Sequence, residues 1–122
     1  MKIERFEDIL AWQKAKEVTK KIYILLAQTK DYGFKDQIQR AAVSVMNNNV
    51  AEGFERRSDK EFKHFLFVAK GSCGEVRSML ILAKELDYIK SDICDDLILE
   101  TEKISKMLSN FIKVLDESKR TL

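Results

Sequence analysis

Apolar residues recur at steps of three and four along almost the whole chain, which is the spacing of amphipathic helices. The pattern predicts four helices, over about residues 8–29, 34–52, 59–87 and 92–118. The breaks between them are only a few residues long, so consecutive helices must lie side by side and run in opposite directions. We therefore expect an all-α fold, an antiparallel up-down-up-down four-helix bundle built as a single domain from residues 1–122.

Local signals predict where these helices begin and end. Gly33 is expected to take a positive φ after the first helix, and Gly53 to cap the second. Ser58 and Glu61 have the spacing of a capping box at the start of the third helix. The segment Gly71–Gly74 indicates a close approach of another helix, because a helix-interior Gly costs about 1 kcal/mol relative to Ala.

Two of the predicted helices carry more apolar residues than a single buried stripe accounts for. The extra residues are Tyr23, Ile24 and Leu25 in the first helix, and Phe67, Val68, Met79, Ile81 and Leu82 in the third. Helices that are apolar over a wide arc usually contact more than one partner. We therefore expect the protein to self-associate.

Composition excludes several other classes of protein. The chain has no proline and four glycines, too few for the many turns of a sandwich or barrel. It has 22 basic and 20 acidic residues, so its net charge of +2 does not by itself indicate a nucleic-acid partner. The charged N-terminus and short apolar runs predict a cytoplasmic protein without a membrane partner, in which Cys73 and Cys94 stay reduced.

Polar residues interrupt the apolar stripe of the second helix. Asn49 and Glu52 follow Val45 by four and seven residues, so both continue the stripe. A buried Asn or Glu is costly unless it is hydrogen-bonded. Ser72 and Glu75 of the third helix are candidates to meet these groups. We predict a structural polar cluster of Asn49, Glu52, Ser72 and Glu75, the alternatives being a functional site and a helix end that dips into solvent.

Several segments resemble one known family in order and spacing. Residues 6–15, 36–45, 49–54 and 57–62 resemble the bacterial four-helix bundle proteins called 23S rRNA intervening-sequence proteins. The resemblance covers essentially residues 6–90, whereas the fourth helix matches only in length and periodicity. The chain departs from the family pattern at Met46-Asn47, where Pro-Ser is usual, and at Cys73, where Leu is common.

The resemblance implies an assembly and a class of partner. It implies a bundle that commonly forms a five-membered ring, here a homopentamer. The chain is also similar to the accessory protein of diversity-generating retroelements, a basic pentameric barrel that binds nucleic acid and the reverse transcriptase. The resemblance implies no settled biochemical activity, because the family name records where the genes were found.

An enzymatic function has two weak indications. Glu61 and His64 form one Glu-x-x-His motif, but a di-iron bundle needs two such motifs and the chain has one His. The spacing from Arg57 to His64 resembles that of the HEPN ribonucleases, in which His acts as a base and Arg holds phosphate. We expect no enzyme, no metal and no cofactor, with a HEPN-like ribonuclease as the less favoured alternative.

The favoured hypothesis is a non-enzymatic homo-oligomeric scaffold that associates with RNA or DNA. A ring would repeat each small basic patch, so that several phosphate contacts add. The candidate nucleic-acid-binding residues are Lys14, Lys20, Lys21, Arg40, Arg56, Arg57 and Lys60. The alternative is a protein–protein interaction bundle that uses the ring to bind partner helices without nucleic acid.

Overall fold

Four long helical stretches make up most of the residues that the computed structural model describes, which are residues 3–118. The chain starts with a 3-10 turn, Phe6–Asp8, followed by α1, Leu10–Leu25, and α2, Tyr32–Val43. A π-helical segment, Ser44–Ala51, and a short α-helical turn, Glu52–Phe54, extend α2. The last two helices are α3, Asp59–Glu85, and α4, Ser91–Ser118. Residues 3–118 contain no strand, and the predicted all-α four-helix bundle is confirmed.

Contacts between neighbouring helices show their relative direction. Lys63 pairs with Asp116 near one end of α3, and Lys84 pairs with Asp95 near the other, with Nζ 2.8 Å from Oδ1. Residue numbers therefore rise along α3 while they fall along α4, so the two helices are antiparallel. Each helix packs against two neighbours: α1 and α3 both contact α2, with its π-helical extension, and α4. As a result α1 and α3 occupy opposite corners of the bundle.

The core is one continuous cluster formed by the predicted apolar stripes. Ile22, Ile38, Leu66 and Leu108, one from each long helical stretch, are fully buried. Burial of a large aliphatic side chain stabilises the fold by about 1.5–3 kcal/mol. The periodicity of the apolar residues is therefore what brings the four helices together.

Two helix starts are capped by side chains. The Ser58 hydroxyl accepts a hydrogen bond from the Glu61 amide at 3.2 Å, as the capping-box spacing predicts. Asp31 accepts from the Phe34 amide at 3.1 Å and from the Tyr88 hydroxyl at 2.7 Å. The Tyr88 bond and then the Phe34 bond lower the pKa of the Asp31 carboxyl. The bond from Tyr88 ties the α1–α2 connection to the α3–α4 connection.

The prediction for Gly33 was wrong, and the left-handed position lies elsewhere. Gly33 lies in the first turn of α2 with an ordinary negative φ, because α2 already begins at Tyr32. Asp87 takes a positive φ of 60° at the end of α3. The Tyr88 amide then donates to the Ala83 carbonyl at 2.9 Å, and the Asp87 amide donates to that of Lys84. This is a Schellman motif, which satisfies carbonyls that the end of the helix leaves free.

The roles predicted for Gly53, Gly71 and Gly74 were also wrong. Gly53 has no positive φ and lies buried inside the turn Glu52–Phe54. A Cβ there would lie 2.7 Å from the Phe65 Cβ, so Gly53 is needed for close packing against α3. A Cβ at Gly71 or Gly74 would meet no atom within 4 Å, so no neighbouring helix of the same chain approaches them closely.

Candidate functional site

The π-helical segment is the most irregular part of the bundle. Hydrogen bonds in a π-helix run from i to i+5 rather than i+4, and such segments occur frequently at functional sites. The sequence of this segment contains Asn47, Asn48 and Asn49, and Asn competes for backbone hydrogen bonds in regular helices. The Asn49 side chain competes in this way, because its amide donates to the Ser44 carbonyl five residues earlier.

A small polar cluster connects this segment to α3. The Asn49 side chain is buried, and its Nδ2 donates to the Ser44 carbonyl at 2.7 Å and to the Ser44 Oγ at 2.8 Å. The Ser44 Oγ lies 3.0 Å from the Ser72 Oγ on α3. We call Ser44, Asn49 and Ser72 the polar node. It satisfies the amide hydrogens of the buried Asn49 and joins the π-helical segment to α3.

Two residues of the predicted polar cluster lie outside the node. Glu52 is exposed and pairs with Arg56 instead of facing the core. Glu75 accepts a hydrogen bond from Gln37 at 3.4 Å on the surface. The expectation that Glu52 continues the buried stripe was wrong, because a π turn takes more residues than an α turn and rotates the seventh position out of the core.

A small cavity in the core lies near the node, with Val45, the residue after Ser44, in its lining. It measures about 10 Å³, which is about the space of one water molecule. Its lining includes Cys73, whose thiol donates to the Thr101 carbonyl. Burial raises the pKa of the Cys73 thiol to about 11, so the thiol stays protonated at neutral pH and is a poor nucleophile.

Four of the seven basic residues predicted to bind nucleic acid already hold acidic partners within the chain. The pairs are Lys14–Glu100 at 3.8 Å, Lys20–Glu17 at 3.9 Å, Arg40–Asp36 at 2.9 Å, and Arg56 with Glu52. The other three, Lys21, Arg57 and Lys60, are exposed and make no ion pair within residues 3–118. The seven residues do not form one surface in a single chain.

Arg56 is held by its own neighbours more than the other candidates. Its guanidinium lies 4.7 Å from the centre of the Phe65 ring and 3.9 Å from Glu61. It adjoins Arg57 and Lys60 at the connection to α3, whereas the other four candidates lie on the sides of α1 and α2. The connection is therefore the place where the predicted basic residues come together.

The residues of the enzymatic alternatives, Arg57, Glu61 and His64, are exposed near the start of α3. His64 is exposed, and its ring packs edge-on against Phe65 at 5.6 Å. Glu61 is engaged by Ser58 and Arg56. Within residues 3–118, no three His, Cys, Asp or Glu side chains are arranged to hold a metal ion.

Among the helices of residues 3–118, none combines the length and apolar character needed to cross a membrane.

A row of cations along α3 was not predicted from the sequence. Lys63, Lys70, Arg77 and Lys84 follow one another at seven-residue intervals and therefore share one side of α3. Three of them meet acids of α4 spaced in the same way, at Asp116, Glu102 and Asp95. We call this the ion-pair row. The sequence signal that indicates it is the seven-residue spacing of the cations together with acids fourteen and seven residues apart on α4.

Comparison with known proteins identifies the family but no activity. The 23S rRNA-intervening sequence protein family matches residues 7–110. A crystal structure of a protein of unknown function from the S23 ribosomal protein family of Bacteroides thetaiotaomicron VPI-5482 has the same fold, with a TM-score of 0.78 and 24% identity. The alignment covers 85% of this chain and 99% of that one. No curated protein matches the sequence. Because the match spans most of its length, the chain belongs to the 23S rRNA-intervening sequence protein family.

Proposed function

We propose that this protein is a non-enzymatic, homo-oligomeric scaffold that associates with RNA or DNA. The observation that carries the oligomeric part of the proposal is the exposure of large apolar side chains on α1 and α3, the two helices for which the sequence shows an apolar excess. Ile24 is 71% exposed and Phe67 is 58% exposed, and each has apolar neighbours on its helix. The α1 face consists of Tyr23 and Ile24, and the α3 face of Phe67, Val68, Ile81 and Leu82. Exposed apolar patches mark interaction surfaces.

The positions of the two faces favour one kind of assembly. Because α1 and α3 lie at opposite corners of the bundle, the α1 face and the α3 face point away from each other. A symmetric dimer through one face leaves the other in water. A head-to-tail contact between the two faces covers both in every copy, and such contacts close into rings when the rotation permits. A homopentameric ring, which the family resemblance implies, is the proposed form.

The basic residues without intramolecular partners support the nucleic-acid part of the proposal. Arg57 and Lys60 are exposed, lie close together in sequence and make no ion pair within residues 3–118. Exposed ion pairs are worth about 0–1 kcal/mol, so Arg56 beside them remains available to a phosphate as well. In a ring these residues recur in every copy, and each additional phosphate contact strengthens binding.

The test is a titration of the purified protein against labelled RNA and DNA strands across a salt series. Wild-type protein should bind, and its log-affinity should fall linearly with log salt concentration. The double variant R57E/K60E should bind at least tenfold more weakly at low salt. The matched control is K30E/K90E, which makes the same charge change at two exposed residues near the opposite end of the bundle. Equal losses in both variants would contradict the assignment of Arg57 and Lys60.

The alternative function is a protein-interaction bundle without nucleic acid. The observation that favours it is the pairing of four candidate cations, including Lys14 and Arg40, with acids of the same chain. Absence of any nucleic-acid binding by the wild type at low salt would select this alternative. If RNA is bound, an unchanged RNA half-life with the H64A variant separates the scaffold from a ribonuclease.

A further inference from the structure

The ion-pair row between α3 and α4 has one incomplete position. Successive cations of the row are seven residues apart, and their acidic partners descend along α4 in the same steps. Asp116 faces Lys63 and Glu102 faces Arg77. The position midway between the two acids is Ser109, which therefore lies opposite Lys70. The neutral Ser109 therefore occupies the position at which the spacing of the row predicts a carboxylate.

Lys70 consequently has a positive charge without a partner. Its side chain is half-buried, and it makes no ion pair within residues 3–118. The Ser109 side chain is also half-buried, and its hydroxyl makes no hydrogen bond in that range. Both groups therefore remain free to bind an anion in the seam between the two helices.

Two further cations lie on the rim of this position. Lys106 precedes Ser109 by three residues and Lys113 follows it by four, so both are its neighbours on the surface of α4. Both are exposed and lack an ion pair within residues 3–118, although Glu117 is only one turn from Lys113. Three uncompensated positive charges therefore surround one free hydroxyl, while Glu102 and Asp116 are engaged elsewhere in the row.

We propose that Lys70, Ser109, Lys106 and Lys113 bind a backbone phosphate of a nucleic-acid strand. The phosphate takes the place of the missing carboxylate. Lys70 supplies positive charge, and the Ser109 hydroxyl donates a hydrogen bond. Lys106 and Lys113 attract the neighbouring phosphates of the strand electrostatically. Ammonium groups bind phosphate as point charges, without the paired geometry that Arg offers to carboxylates. This inference rests on the proposed function and assigns it a surface outside the basic residues predicted from the sequence.

The arrangement of the rim favours an extended phosphate chain over a single ion. Lys106 and Lys113 are roughly 10 Å apart along α4, since each residue of an α-helix rises about 1.5 Å. A single inorganic phosphate cannot be contacted equally by both, whereas successive phosphates of one strand pass each in turn. Such contacts position a strand without reading its bases, so we expect little dependence on base sequence.

The experiment restores the missing carboxylate. In S109E the new side chain lies opposite Lys70 and four residues before Lys113, the favourable order for an ion pair on a helix. Binding to a labelled single-stranded RNA should weaken about tenfold or more at low salt, and the salt slope should fall by about 0.7 for each phosphate that the variant no longer neutralises. The melting temperature should stay the same or rise. The variant K70Q should also weaken binding.

The matched control is N110E, which adds the same charge one residue away, on a part of α4 that does not face α3. A much larger loss of affinity in S109E than in N110E supports the site. Equal losses of affinity in S109E and N110E overturn the site, and so does unchanged affinity in both S109E and K70Q. Neither outcome contradicts nucleic-acid binding by the wild type. Failure of the wild type to bind any strand overturns the proposed function and this inference together. Binding of an acidic peptide but no nucleic acid overturns the assignment of the ligand.

Discussion

At the scale of single residues, the glycines show how one residue type serves different ends in one bundle. Gly53 is buried where the end of the second helical stretch meets α3, and its missing side chain makes room for Phe65 and Phe62. Gly71, in the middle of α3, is exposed and has open space around it. The first glycine is required by packing within the chain, whereas the second only weakens its helix.

Substitution of these two glycines by Ala should have opposite effects on stability. G53A places a Cβ 2.7 Å from the Phe65 Cβ and 3.1 Å from the Phe62 ring, and such overpacking costs about 1–3 kcal/mol. G71A should increase the free energy of unfolding by up to about 1 kcal/mol, the difference in helix propensity. Urea unfolding at one protein concentration measures both. A stable G53A protein would show that Phe65 moves aside freely.

At the scale of secondary-structure elements, the π-helical segment decides which polar residues enter the core. Its wider turns keep Asn49 buried beside Ser44 and turn Glu52 out toward Arg56. The hydrogen bonds from Asn49 to Ser44 then link two turns of the segment, and Ser72 connects them to α3. The irregular backbone and the polar node therefore depend on each other.

Removal of the node amide should destabilise the protein without any change in net charge. N49A leaves the Ser44 carbonyl and hydroxyl without this donor in a largely buried site, which costs about 1–3 kcal/mol. The exposed Asn110 on α4 provides the control, because N110A should change the free energy of unfolding by less than about 0.5 kcal/mol. Equal effects of the two substitutions in urea unfolding would mean that the node contributes nothing specific.

At the scale of the whole molecule, the cyclic order of the helices separates the two apolar faces. Each helix contacts the two next to it, so α1 and α3 are diagonal. Ile24 on α1 and Leu82 on α3 are exposed in directions that a single symmetric contact cannot cover together. The geometry of one chain thus bears directly on how several chains associate.

Mixing of two variants tests the head-to-tail contact. I24E and L82E should each abolish higher assembly, because each places a charge in one of the two faces that meet. An equimolar mixture should form a heterodimer, since the intact α3 face of I24E still matches the intact α1 face of L82E. Light scattering coupled to size exclusion measures these masses, with N110E as the control that should assemble like the wild type. A variant that keeps the wild-type mass alone would exclude its face from the contact.

The helices and the core of this protein follow from the order of its residues alone. Apolar spacing is a property of neighbouring residues on one helix, so Ile22, Leu66 and Leu108 were predictable as buried, as was the helix start at Ser58. The resemblance likewise indicated the family from short local segments. The first helix ends four residues before the predicted position, and the second begins two residues before it, at Tyr32, because Asp31 caps it there through the Phe34 amide.

Which side chains meet across the bundle depends on how the helices pack in three dimensions. Lys14 pairs with Glu100 across 86 positions of sequence, and Lys70 meets no acid within residues 3–118 although its three counterparts do. These outcomes depend on the register between helices, which no single stripe specifies. The exposure of Glu52 depends on the change from α to π geometry, which alters the rotation per residue. The ion pairs between helices and the rotation per residue along each helix therefore determine which residues form the candidate sites. The spacing of apolar residues determines the fold.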